Sequence, residues 1–126
     1  MNFKKIFLVD DEDIINAIQT KIVKSEFPEY EILKFGTAKE LLSVLKEINY
    51  KPLIFLDLNM PVMDAIDFLN ELDNQEIKVE PIIFILTFSQ NPVEINFVNN
   101  HPLVYDVIYK PMDQQKINAV KKLLIS

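Results

Sequence analysis

The chain has 126 residues, 49% of them hydrophobic and 25% charged, the size and composition of one soluble globular domain with a core of its own. Its net charge is −6 and its 13 basic residues are all lysines, so it lacks the arginine fork that grips phosphates and guanine edges; direct nucleic-acid binding is not expected. With no cysteine and a single histidine, His101, it cannot build disulfides, thiolate metal centres, cysteine nucleophiles or a zinc site.

After Lys4 and Lys5, the apolar run IFLV (6–9) predicts a first strand. Asp10 and Asp11 end it too early for a signal-peptide core or a membrane span, so a cytoplasmic protein with no membrane insertion is expected. Ile14, Ile15, Ile18 and Ile22 recur at helical spacing and predict a first helix with these residues on its buried face. EILKF (31–35) predicts a second strand, and its lysine and alternation place it at a sheet edge. Thr37 and Glu40, at capping-box spacing, open a second helix carrying Leu41, Leu42, Leu45 and Ile48.

LIFL (53–56) predicts a third strand, which ends on Asp57 before Met60 and Pro61 break the chain. Asp64 caps a third helix with Ile66, Phe68, Leu69 and Leu72. IIFIL (82–86) is a fourth strand with Thr87 at its end. Asn91 as cap and Pro92 in the first helical position open a fourth helix. His101 falls in the loop that follows. LVYDVIY (103–109) is a fifth strand running into Lys110 and Pro111, and Asp113 leads a last helix with Ile117, Val120, Leu123 and Leu124.

Five strands alternating with five helices predict an α/β domain built on a doubly wound, five-stranded parallel sheet. The first, third and fourth strands are continuously apolar, as strands covered on both faces are. No repeat, linker or low-complexity tract interrupts the chain, so residues 1–126 are expected to form one domain with no output domain.

In such a sheet, ligands bind beyond the carboxyl ends of the strands. Asp10, Asp11, Asp57, Thr87 and Lys110 all stand there, with Glu12 beside them, and they share one crevice if the first, third, fourth and fifth strands are adjacent. Two carboxylates 4 Å apart repel by about 1 kcal/mol in water and about 4 kcal/mol near a protein surface, so three together call for a cation. Oxygen ligands without His or Cys select magnesium or a similar hard ion. A carboxylate can also act as a nucleophile and form an aspartyl phosphate, provided a metal, a lysine and a hydroxyl or backbone donors neutralise the transferred group. Gly36 is the only glycine, which excludes both glycine-rich nucleotide-binding motifs.

In order, VDDE, LDLNMPVMD, ILT and YKP resemble the receiver domain of bacterial two-component response regulators, across the whole chain and in its stand-alone form. The resemblance implies a flavodoxin-like (βα)5 fold with strand order 2-1-3-4-5. It implies Asp57 as phosphoacceptor, Asp11 as a direct Mg2+ ligand and Asp10 as a ligand through water, with Asp57 and the Asn59 carbonyl completing the metal site. Thr87 would bind a phosphoryl oxygen and Lys110 would pair with it, beside a cis bond to Pro111. The phosphoryl group would come from a histidine kinase or histidine phosphotransfer protein, and a downstream protein would read the changed surface. Such a chain is not an enzyme, beyond assisting its own phosphorylation and slow dephosphorylation.

Three positions depart from the family pattern. Ala65 stands where glycine is usual and would be strained if φ there were positive. Phe88 replaces a small residue and is expected to crowd the phosphoryl group or slow attacking water. Val107 replaces the usual aromatic switch residue, with Tyr105 and Tyr109 assigned to the opposite face of the strand. These departures motivate one rival reading, a pseudo-receiver that only docks. A second rival, an aspartate-nucleophile phosphatase, calls for an acid two residues after the nucleophile, where Asn59 stands.

Overall fold

The computed structural model describes residues 5–125; residues 1–4, Lys4 among them, and residue 126 lie outside the described residues. The elements follow in strict alternation: β1 (Lys5–Val9), α1 (Asp13–Glu26), β2 (Glu31–Phe35), α2 (Ala38–Leu45), β3 (Leu53–Asp57), α3 (Ala65–Asp73), β4 (Ile82–Thr87), α4 (Pro92–Asn99), β5 (Val104–Tyr109) and α5 (Gln114–Ile125). All neighbouring strands pair in parallel, in the order β2-β1-β3-β4-β5. This is the flavodoxin-like order expected from the sequence, with EILKF at one edge.

The three central strands are apolar because both of their faces are covered. Phe7, Ile54, Ile83 and Ile85 point into one core with Leu41, Leu45, Phe68 and Leu69 from α2 and α3. Ile6, Leu8, Phe55 and Phe84 point into the other with Val23 of α1 and Ile117 and Val120 of α5. Each fully buried Leu, Ile or Phe contributes about 1.5–3 kcal/mol relative to exposure, so the central strands are the most heavily stabilised part of the fold.

The helix starts form as their sequences dictate. The Thr37 hydroxyl accepts from the Glu40 N–H at 3.1 Å. Asp64 and Asp67 form a reciprocal capping box at the start of α3. Asn91 Oδ1 accepts from the Val93 N–H ahead of α4, and Asp113 Oδ1 accepts from the Lys116 N–H ahead of α5. Each such cap is worth about 1 kcal/mol. His101 lies in the α4–β5 loop, where its Nε2 meets Asp73 Oδ1 at 2.8 Å and its Nδ1 accepts from the Leu103 N–H. It therefore latches that loop to the end of α3.

Helix α1 is turned differently from the expectation. Ile14 and Ile18 are exposed, at 76% and 51%, while Asn16, Gln19 and Val23 form the buried face. Ile15 and Ile22 are half-buried on its flank. The physical reason is a tertiary hydrogen bond: the Asn16 amide donates to the Asp10 and Phe35 carbonyls, which fixes the phase of the helix against the count of its isoleucines.

Two expectations about the backbone also change. Ala65 is the first residue of α3, fully buried, and it does not have positive φ. Among the described non-glycine residues the positive φ belongs to Val62, at 71°, where the Met63 N–H closes a three-residue turn onto the Pro61 carbonyl. On β5, unbroken alternation would put Tyr105, Val107 and Tyr109 on one face. A register shift opposite Ile83 and Phe84 sends Tyr105 to the other face, stacked on Phe84. Tyr109 keeps the parity of Val107 and pairs with Thr87, so the opposite-face assignment holds for Tyr105 and fails for Tyr109.

Candidate functional site

Strands β1, β3 and β4 deliver their last residues to the same edge of the sheet. Asp10 follows β1, Asp57 closes β3 and Thr87 closes β4; all three are buried. Lys110 follows β5, and its backbone N–H donates to the Thr87 carbonyl at 2.8 Å. The Lys110–Pro111 peptide is cis, as expected.

Lysine 110 connects the acids. Its ammonium donates to Asp10 Oδ2 at 2.8 Å and lies 3.2 Å from Asp57 Oδ1, with its side chain almost wholly buried. Asp11 is exposed at the rim, yet one oxygen from each of Asp10, Asp11 and Asp57 can be chosen so that all lie within 4.8 Å of one another. Asp10 Oδ1 also accepts from the Glu12 N–H at 3.0 Å.

One ammonium cannot neutralise three carboxylates, and for Asp57 burial acts in addition to that surplus. Burial pushes the Asp57 carboxyl up from 3.8 to about 6; the Lys110 charge pulls it down and the Asp10 charge pushes it up again. A backbone hydrogen bond from Asn59 also lowers it, so Asn59 touches the site through its N–H. For Lys110, burial alone would lower the pKa. The hydrogen bond to Asp10 and the charges of Asp57 and Asp10 outweigh it and hold the ammonium above its ordinary value. Asp57 is thus raised by dehydration in spite of its cationic neighbour. A set of three oxygen ligands with surplus negative charge suits a hard divalent cation.

Thr87 is the predicted member least engaged with the acids. Its hydroxyl accepts from the Ser89 N–H at 2.8 Å. The Ser89 hydroxyl in turn donates to Glu94 Oε1 and accepts from the Asn91 N–H, which ties Thr87 to the first turn of α4. Phe88 does not fill the pocket: it is 68% exposed, and its ring centroid lies 5.4 Å from the Lys110 ammonium, a cation–π distance. The sequence reading missed Asn16 and Ser89. A polar residue on the three-and-four spacing of Val23 was the available signal for Asn16; Ser89 carried none beyond its nearness to Thr87.

Residues 6–122 match the family model described as the response regulator receiver domain. The chain belongs to that family. Among its relatives, the protein-glutamate methylesterase/protein-glutamine glutaminase 2 of Cupriavidus pinatubonensis is 29% identical over 110 residues, covering 85% of this receiver chain and 29% of that protein. Its counterpart in Methylobacillus flagellatus is 28% identical over 109 residues, with the same coverage. The receiver thus spans less than a third of those relatives. Among solved structures, the chemotaxis protein CheY4 of Vibrio cholerae superposes with a TM-score of 0.79 at 19% identity, covering 98% of this chain and all of that one. TrrA of Thermotoga maritima, solved with Mg(2+)-BeF, gives 0.73 at 22% identity, covering 98% and 100%. These likenesses establish the receiver fold, and no described helix is long and apolar enough to cross a membrane.

Proposed function

We propose that this receiver is a phosphorylation-dependent signalling switch with Asp57 as its phosphoacceptor. The observation that carries the reading is the Lys110 ammonium held between Asp10 and Asp57, with Asp11 at the same mouth. Asp10, Asp11, Asp57 and the Asn59 carbonyl would hold Mg2+, and the surplus charge of the three acids fits that ion. When bound, the metal would neutralise phosphoryl oxygens.

The donor would be a phosphohistidine of a histidine kinase or histidine phosphotransfer protein. An Asp57 carboxylate oxygen attacks phosphorus, the P–N bond breaks, and the imidazole leaves and takes up a proton. Lys110 then pairs with a phosphoryl oxygen. The exposed Ile14 and Ile18, one turn apart on α1 and a few residues past Asp11, offer the donor an apolar foothold beside the pocket. The Thr87 hydroxyl accepts from the Ser89 N–H, which leaves its own proton for a phosphoryl oxygen, and Ser89 is bound to α4, so a Thr87 side chain drawn inward would pull on that link. That route carries the change to a surface read by a downstream protein without an aromatic at position 107. In this reading the receiver works as a switch in the cytoplasm, and not as an enzyme on other substrates.

Two reasons for the docking-only rival lose weight, since Ala65 is an unstrained helix start and Phe88 stands outside the pocket. Incubation with Mg2+ and acetyl phosphate tests the proposal. The intact protein should gain the mass of one phosphoryl group and Asp57→Asn should not; equal masses for the two would sink it. Turnover of small phosphate esters would point to the phosphatase instead.

A further inference from the structure

We infer that Asn16 is a positioning residue for the acidic pocket, acting through the peptide that joins Asp10 to Asp11; the inference rests on the phosphoacceptor reading above. Asn16 is only 4% exposed and is the fourth residue of α1. Its Nδ2 donates to the Asp10 carbonyl at 3.0 Å and to the Phe35 carbonyl at 3.3 Å. Both neighbours are acceptors, so the nitrogen and not the oxygen must face them. Its Oδ1 is buried with no hydrogen-bond partner among the described residues. An amide buried half-satisfied is costly. It stands on the inward face while Ile14 and Ile18 of the same helix are turned to solvent. Apolar packing alone would favour the reverse arrangement, so the two bonds made by Nδ2 are what this side chain supplies.

Their consequence falls on the site. Asp10 is held at four points: its N–H by the Phe35 carbonyl, its carbonyl by Asn16, Oδ1 by the Glu12 N–H and Oδ2 by Lys110. The carbonyl bond is the one that fixes the Asp10–Asp11 peptide plane. That plane is rigid, so its orientation sets the direction in which both carboxylates leave the backbone. Without Asn16, two of the three acids lose their common reference, while Asp57 on β3 keeps its own.

The test measures Mg2+ alone, by calorimetry, on the folded full chain. Asn16→Leu keeps the volume and removes the donors; it should weaken Mg2+ binding by roughly tenfold or more, as loss of a residue that orients metal ligands does. Gln19→Leu is the control: Gln19 is equally buried one turn on, and no hydrogen bond joins it to Asp10. It should leave Mg2+ affinity at the parent value whatever it does to stability. A folded Asn16→Leu with parent affinity overturns the inference and leaves the phosphoacceptor reading standing. A parent protein that binds neither Mg2+ nor beryllofluoride overturns that reading itself. If Asn16→Leu does not fold, the unaltered protein still decides by NMR. Mg2+ should slow solvent exchange of the Asn16 Nδ2 protons, because ordering the Asp10–Asp11 peptide strengthens their bond; exchange that Mg2+ leaves unchanged overturns the inference.

Discussion

The Lys110 ammonium lies 2.8 Å from Asp10 Oδ2, joining residues one hundred positions apart in the chain, and it reaches Asp57 at 3.2 Å as well. Lys110→Met keeps the aliphatic stem and removes the charge, leaving buried carboxylates without their cation. Breaking a buried pair in this way costs about 3–5 kcal/mol. Urea unfolding at pH 7 should show a loss of that order, and Mg2+ should restore part of it by supplying the missing positive charge. An unchanged midpoint would mean that Lys110 does not hold the acids together.

Asp57 makes the stability of the metal-free protein depend on pH. The unfolded chain binds its proton with a pKa near 3.8 and the folded chain with one of about 6. The folded state therefore holds the extra proton between those values. The contribution is full below 3.8 and is lost as pH rises through 6. A shift of this size is worth about 3 kcal/mol. Asp57→Asn removes the dependence, so the variant should match the parent near pH 4 and exceed its stability by about 1–3 kcal/mol above pH 6. Urea unfolding from pH 4 to 8 with a chelator present checks this, and parallel curves for the two proteins would rule it out.

The sequence was most informative at this site. A charged side chain at the end of an apolar strand is an energetic anomaly, and Asp10, Asp57 and Lys110 stand out in the sequence for that reason. Apolar runs and caps likewise announced the order of strands and helices, because burial on both faces leaves few choices of side chain. What stayed hidden is set by partners far along the chain. The phase of α1 depends on Asn16 finding the Phe35 carbonyl 19 residues away, and no count of isoleucines contains that bond. The direction of the Thr87 hydroxyl depends on Ser89, and the face taken by Tyr105 depends on a register shift against β4. Family pattern drew attention to Ala65, whereas the strain sits three residues earlier.

Val62 carries that strain, with φ at 71° and its side chain fully exposed. A β-branched residue pays the left-handed penalty of about 1–2 kcal/mol, and here no buried contact repays it. Val62→Gly relieves the strain, while the added freedom of glycine in the unfolded chain offsets about 0.4–1 kcal/mol of the gain. The net expectation is a small stabilisation, read as a higher urea midpoint. Val62→Ile keeps the branching and should leave the midpoint where it is. A destabilised Val62→Gly would show that the turn is not strained.

Phe88 lies over the Lys110 ammonium and is otherwise open to solvent. A cation–π contact is worth about 0.5–1 kcal/mol when exposed and about 2 kcal/mol when the cation is desolvated, so Phe88→Ala, which strips an exposed ring from a buried ammonium, should cost about 0.5–2 kcal/mol. Its larger effect should be on access. With the ring gone, water reaches the phosphorylated pocket more freely, and the aspartyl phosphate formed with acetyl phosphate should decay several-fold faster. Phe88→Leu, which keeps the bulk and loses the ring face, should decay at close to the parent rate. If Phe88→Ala decays no faster than the parent, the ring shields nothing.

Ser89 joins the pocket to α4 through separate groups, its N–H on the Thr87 hydroxyl and its own hydroxyl on Glu94 and Asn91. Ser89→Ala keeps the first link and cuts the second. Each bond lost is worth about 1 kcal/mol, so the variant should fold. If Thr87 reports the phosphoryl state to α4 by this route, beryllofluoride with Mg2+ should still shift the amide resonances of Asp57 and Thr87 in the variant. Those of Val93 and Glu94, in the first turn of α4, should move far less than in the parent. Equal shifts at Val93 and Glu94 in both proteins would mean that α4 is reached by another path. Because Val107 offers no aromatic ring to move, the covalent backbone from Thr87 to Asn91, which joins β4 to α4, would then be the shortest such path.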